Sequence, residues 1–401
     1  MKKQVASMIL VGLLSVSASL PVIAAADAKK DNGIRIVING VEEAYADAPI
    51  VKKNQVFLPL RAVAADLGAA DIVWSSPERS VTLQKGDTKI YIRIGRTEAN
   101  IGGKAVQLSV APFVSKSGIT YVPADFIGQA LGQRVTWNAS SKAVSIETSN
   151  KDKVVEVLKG LETGDPAAAL KWISADKYIQ HNLAFADGRE TLVGAIRQLK
   201  GAGVTYDVQR VIEDGDYVAV HSLVNLFGSK FAVFDIYRFE NGKIVEHWDN
   251  LQELAEPNPS GHTMVDGTTE ITDLDKTEEN KEIVKKFVND VFMGGNIAVM
   301  PTYIDGETYT QHNPMFGDGL STVMKAFEGM AEQGVKVSFD KIHMVIGEGD
   351  FVLVVSEATF NGIHNAIYDM FRVKNGKLVE HWDVIETIPP KDQWKNTNGK
   401  F

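Results

Sequence analysis

The chain has 401 residues, no cysteine, a hydrophobic fraction of 44% and a formal net charge of −9. This is apolar material for about two or three packed domains, and it excludes a disordered chain, a disulfide scaffold and thiol chemistry. With no Lys/Arg block in the folded part, a nucleic-acid or anionic-membrane partner would lack the basic patch it needs, so small or neutral ligands are the expected partners.

At the start, Lys2 and Lys3 precede an apolar run from Met8 to Leu20, and small residues follow at Ala24, Ala25, Ala26 and Ala28. That is the layout of a secretory signal with a cleavage site. Residues 1–28 are therefore expected to be removed on export, leaving the mature protein secreted or at the cell envelope. The competing reading, a membrane anchor, needs a longer apolar run.

Residues 29–150 contain a repeat. "VFLPLRAVAADLGAADIVWSSPERSVTL" from Val56 aligns with "TYVPADFIGQALGQRVTWNASSKAVSI" from Thr120, matching Pro59 to Pro123, Leu67-Gly68 to Leu131-Gly132 and Trp74 to Trp137. Each half reads strand, helix, strand, and the glycine after each apolar helix stretch supplies a left-handed cap. This segment resembles the copper amine oxidase N-terminal-like stalk domain. Despite that family's name, copper is not expected here, because every histidine lies at or beyond His181 and there is no cysteine. The stalk-like segment reads either as a spacer or module binding a cell-wall or envelope component, or as a plain stable appendage.

A second duplication spans residues 151–254 and 277–388. "YIQHNLAFADG" from Tyr178 returns as "YTQHNPMFGDG" from Tyr309, and "AVFDIYRFENGKIVEHWD" from Ala232 returns as "AIYDMFRVKNGKLVEHWD" from Ala366. Residues 255–276 between them, rich in Pro, Gly, Thr and Asp, read as a linker, and 389–401 as a tail. In the first copy, Val154, Val155, Leu158 and Leu161 mark a helical face, Gly164-Asp165-Pro166 breaks and restarts the chain, and Leu192, Val193, Ile196 and Leu199 mark a further helix. Strands follow at 204–212, 217–226, 231–239 and 243–251, with Glu240-Asn241-Gly242 as a hairpin turn. Helices before antiparallel strands give an α+β fold with the sheet curling around the helices.

The repeated "QHN" and "EHWD" motifs resemble the SnoaL-like branch of the nuclear transport factor two-like superfamily. The resemblance implies two tandem cone-shaped α+β barrels with curved, mostly antiparallel sheets, each enclosing a small-molecule pocket. Some members are cofactor-free polyketide cyclases that use Asp and His as acid and base, and others have no known activity.

Strand alternation places Val245, His247 and Asp249 on one face and Ile244, Glu246 and Trp248 on the other. Asp235 on the preceding strand can reach His247 as a cross-strand or diagonal neighbour, and a carboxylate beside an imidazole suits proton transfer near neutral pH. The candidate catalytic residues are His181, Asp235, His247 and Asp249, with His312, Asp369, His381 and Asp383 in the second copy. Candidate substrate-binding residues are Tyr178, His221, Tyr237 and Trp248, with Tyr309 and Trp382; the competing reading for both tryptophans is core packing.

His221 is answered by Val355 and Leu223 by Glu357. The first pocket is thus expected to hold an extra imidazole and the second an extra carboxylate, and the first is favoured as the catalytic one. No cofactor or metal is expected. A metal site of His181, His247 and a carboxylate is the weaker alternative, since no compact HxH or HxxxH spacing is present.

The expected function is binding of a small apolar or carbonyl-bearing molecule, with cyclase-, isomerase- or hydrolase-like acid/base chemistry; the alternative is a non-catalytic binding or envelope-interaction protein. Pairing of the two copies through their outer sheet faces, as an internal pseudo-dimer, is a further expectation.

Overall fold

The computed structural model describes residues 33–52, 55–86 and 88–401. The expected export signal at 1–28 lies outside the described residues. The chain divides into two compact units, with the boundary between Glu147 and Thr148.

In the N-terminal unit, two four-stranded sheets and one five-stranded sheet accompany the helices Leu60–Asp66 and Ala124–Leu131. Each helix starts after its proline, Pro59 or Pro123, and the second ends on Gly132, whose φ of 67° lies in the left-handed region. Parallel pairing of Arg35–Ile38 with Ala143–Thr148 ties the beginning of the unit to its end. Leu58, Val63, Val122, Ile127 and Val144 are fully buried in its single core.

In the C-terminal unit both copies have the same plan. The first begins with helix Asn150–Thr163, whose N-terminus is capped by the Ser149 hydroxyl accepting the Asp152 N–H at 3.1 Å. Helices Ala167–Trp172 and Arg189–Gln198 follow. The sheet order is Ile179–Gln180, Lys243–Glu253, Ser229–Glu240, Tyr217–Leu226 and Thr205–Asp214, antiparallel except for the first pairing. The second copy repeats it with helices Thr277–Phe287, Met300–Tyr303 and Leu320–Glu332 and strands Thr310–Gln311, Lys377–Thr387, Ile363–Lys374, Phe351–Phe360 and Val337–Glu348. This is the expected α+β architecture with curled antiparallel sheets.

One phase error in the alternation is corrected by the structure. A bulge between Arg238 and Phe239 pairs Arg238 with Glu246 but Phe239 with Ile244, leaving Val245 as the extra residue. Ile244 therefore joins the inner core with Phe239 and Tyr237, and does not share the outer face with Glu246 and Trp248.

The outer faces of the two sheets pack against each other. Ile212, Phe234, Ile236 and Trp248 of the first copy share one buried cluster with Phe351, Leu353, Tyr368, Met370 and Trp382 of the second. The polar contacts across this interface include side chains that satisfy backbone and side chains that pair ionically: Asn250 donates to the Ala366 and Val384 carbonyls at 3.0 and 2.7 Å, Lys281 pairs with Asp214 at 2.7 Å and Lys151 with Glu348 at 2.5 Å.

Two straps complete the arrangement. The linker leaves the first copy and runs over the second, burying Met264 and Val265 in the shared cluster, so it contributes more to the core than its composition suggests. The tail leaves the second copy and returns over the first, where Asn396 and Asn398 donate to the carbonyls of Asn182, Phe185 and Gln180.

Candidate functional site

Asp235, His247 and Asp249 meet on the inner face of the first sheet, and Asp369, His381 and Asp383 on that of the second. Asp235 lies directly opposite Asp249, and His247 is the diagonal neighbour, with Nε2 3.1 Å from Asp235 Oδ1. The second copy reproduces this distance between His381 and Asp369. All six residues are buried.

The neighbouring glutamine determines where one imidazole proton sits. Gln311 Oε1 accepts the backbone N–H groups of His312 and Asn313, both at 2.9 Å, and so faces His381 Nδ1 at 2.8 Å as an acceptor. Nδ1 must then carry hydrogen, which leaves Nε2 and Asp369 Oδ1 to share any further proton. Gln180 does the same in the first copy, accepting the Asn182 N–H and facing His247 Nδ1, each at 2.9 Å. Asn182 and Asn313 donate to Asp249 Oδ2 and Asp383 Oδ2 at 2.6 Å.

These glutamines and asparagines were not among the sequence candidates. The repeated "QHN" carried the signal.

Four carboxylate oxygens at these sites, Asp235 Oδ2, Asp249 Oδ1, Asp369 Oδ2 and Asp383 Oδ1, are buried and accept no hydrogen bond. Burial raises the Asp235 carboxyl above its ordinary range. Burial also raises Asp383, with Asp369 adding to the effect, to about 6 despite the opposing influence of His381.

Tyr178, Tyr237 and Tyr309 are also buried beside these groups, and burial followed by the nearby carboxylates pushes their hydroxyls up. Tyr237 packs its ring 4.7 Å from that of His247, where the second copy has Phe371 at 4.6 Å from His381.

Other candidates lie elsewhere. His181 and His312 do not join His247 and His381. They stack on the outer-face tryptophans, His181 on Trp248 at 4.6 Å and His312 on Trp382 at 4.7 Å. Both nitrogens of each ring meet acceptors: Glu246 and the Gly399 carbonyl for His181; Glu380, Asp266 and the Thr263 carbonyl for His312. These histidines anchor the tail and the linker. The parallel bridge His312 N–H to His381 carbonyl, at 2.9 Å, brings the loop alongside the last strand, but on the opposite side of the sheet from the dyad.

Trp248 and Trp382 belong to the core between the sheets, as the packing alternative expected. His221 also faces outward. It pairs with Phe234, stacks on that ring at 4.2 Å and meets the Arg210 guanidinium at 3.2 Å. Glu357 lies between His343 and His364, at 2.9 and 2.6 Å. The expected extra imidazole and extra carboxylate are therefore outside the two Asp–His–Asp groups, because strand parity turns His221 and Glu357 away from them.

A cavity of about 320 Å³ opens over the second dyad. Its wall is mostly apolar, with Phe292, Phe316, Phe327, Phe339, Met300 and Met330. Asp369, His381, Asp383 and Gln311 form its polar end, and Gln252 reaches in from the first copy.

As a metal site the Asp–His–Asp group has the right donors within 4.8 Å of one another. However, both nitrogens of His381 are engaged, and His181 is absent from the first group, so the His181–His247 metal site expected as an alternative is not assembled.

Residues 37–146 match the copper amine oxidase N-terminal domain, and residues 154–247 and 284–381 each match the SnoaL-like domain. The chain thus carries one copper amine oxidase N-terminal domain followed by two SnoaL-like domains.

Similar solved structures include an NTF2-like protein of unknown function from Cytophaga hutchinsonii (21% identity, 26% of this chain and 90% of that one, TM-score 0.23). Others are an LEH-like epoxide hydrolase of M. tuberculosis (21%, 28% and 85%, TM-score 0.24) and an NTF2-like protein from Mesorhizobium loti (24%, 28% and 93%, TM-score 0.23). No curated protein matches the chain. The first domain's name brings no copper site with it, since residues 37–146 contain neither histidine nor cysteine.

Proposed function

We propose that the chain is an exported protein whose second SnoaL-like domain binds a small apolar, carbonyl-bearing molecule and moves a proton on it. The observation that carries this reading is the pair of unpartnered carboxylate oxygens, Asp369 Oδ2 and Asp383 Oδ1, buried at the polar end of an apolar cavity. A carboxylate held by an imidazole, with its other oxygen left without a partner, is suited to take a proton from a carbon beside a carbonyl. A neighbouring carboxyl raised to about 6 is arranged to return one.

A non-catalytic receptor is the second reading. It is favoured by the first copy, where Lys400 lies against Asp249. The N-terminal unit is the proposed envelope-binding module, supported by a cavity of about 610 Å³ lined by Arg61, Asp47 and the half-exposed Trp74.

Native mass spectrometry of the mature protein from its own host identifies a retained molecule and the processed N-terminus together. With that molecule as substrate, His381→Gln should abolish turnover and leave affinity within about threefold. Unchanged turnover would remove the acid/base role, and an intact N-terminus would remove export.

A further inference from the structure

The two Asp–His–Asp groups differ in one respect that the structure makes explicit. In the first copy the tail inserts Lys400, whose side chain is 2% exposed, so that its ammonium sits 2.9 Å from Glu386 Oε2 and 3.8 Å from Asp249 Oδ1. Lysine is almost never buried without such partners.

Each of these atoms has a counterpart in the second copy. Asp383 Oδ1 corresponds to Asp249 Oδ1, and both lack a hydrogen-bond donor. Gln252 corresponds to Glu386: Glu386 Oε2 accepts the Leu251 N–H at 2.9 Å, and Gln252 Oε1 accepts the Ile385 N–H at 2.8 Å. The position equivalent to the Lys400 ammonium is thus bordered by Gln252 and Asp383, two residues of the cavity lining. Among the described residues, no lysine or arginine forms an ion pair with Asp369 or Asp383.

We infer that the second cavity is a binding site for an apolar ammonium compound, its cationic head between Asp383 and Gln252 and its hydrocarbon part along Phe316, Phe327 and Phe339. The first copy shows the chemistry that the corner accepts, an ammonium on an alkyl stem, supplied there by the chain itself. In the second copy two buried carboxylates share one imidazole, and a cation would relieve the cost of keeping both charged. Aromatic walls suit the methylene groups next to an ammonium, which carry part of its charge. This inference rests on the reading that the second cavity takes a small molecule, and narrows that molecule to an amine.

Calorimetric titration of the full chain at pH 8 with n-hexylammonium and with its neutral counterpart 1-hexanol tests it. Hexylammonium should bind at one equivalent and at least about tenfold tighter than hexanol, as a charge-assisted hydrogen bond requires. Asp383→Asn should reduce that preference to less than about threefold without weakening hexanol. Equal affinities for amine and alcohol would overturn the ammonium site while leaving the apolar pocket standing; binding of neither would overturn both.

A second measurement does not depend on Asp383→Asn folding. Lys400→Ala empties the corner in the first copy, so n-butylammonium should restore the lost Tm and 1-butanol should not. Equal recovery with the two compounds would overturn the inference.

Discussion

Gln252, near the end of the first copy's last strand, accepts the backbone N–H of Ile385 on the second copy's last strand at 2.8 Å. The reverse bond, Glu386 to the Leu251 N–H, is 2.9 Å. The two SnoaL-like domains therefore meet through a local two-fold relationship, in which each lends a side chain to the other's strand and, through Gln252, to the other's cavity wall. Asn250 lies at the centre of this contact, fully buried, and is the donor for two carbonyls of the second copy. Asn250→Ala should cost about 2–3 kcal/mol in urea unfolding, because two buried acceptors lose their partner. A loss below about 0.5 kcal/mol would show that water replaces the amide.

The raised Asp383 carboxyl has a stability consequence of definite sign. Its pKa of about 6 in the fold lies above its ordinary value of 3.8, so the folded chain holds the proton more tightly than the unfolded chain. As pH rises from about 4 to about 6 the unfolded state loses its proton first, and stability falls; above about 6 the full penalty, of the order of 2–3 kcal/mol, is in place. Asp383→Asn should therefore stabilise the ligand-free protein at pH 8, with the gain disappearing below pH 4. Tm measured across that range checks it, and a pH-independent difference would contradict it.

Arg210 ties the linker to the interface. Its guanidinium lies 4.1 Å from the Trp382 ring and donates to the carbonyls of Thr268, at 2.6 Å, Val265, at 3.0 Å, and Asp266, at 2.5 Å. Arg210→Met keeps the bulk of the stem and removes those donors. Limited proteolysis of this variant should cut within 263–268 at least about tenfold faster than in wild type, while the N-terminal unit stays intact. Unchanged cleavage would show that His312 and the burial of Met264 hold the linker without Arg210.

Much of this was legible because β-strands alternate. The repeated "EHWD" put His247 and Asp249 together, and the hairpin turn at Asn241-Gly242 brought Asp235 within reach, which is where the structure has them. Alternation failed at Val245, where an extra residue in the bulge shifts the phase, and nothing in "NGKIVEHW" announces that shift. The motif "YIQHN", which returns as "YTQHN" in the second copy, makes His181 a pocket candidate. Its actual neighbour, Trp248, lies across a loop-to-strand pairing that a single sequence does not specify. The differences at His221 and Glu357 suggest pocket residues in sequence, but which face of a strand points inward depends on its partner strand, and here the pairing turns both outward. The role of Lys400 depends on a tail crossing from one copy to the other, and no local pattern encodes such a contact.

The crossed straps make the pair of barrels resemble a homodimer whose subunits have been fused. A true homodimer separates on dilution and must carry the same residues in both sites. Here dilution cannot separate the halves, since each is always present at the same stoichiometry and high effective concentration. Each half is also free to mutate independently, and the two corners do differ, with Lys400 beside Asp249 and, among the described residues, no lysine or arginine paired with Asp383.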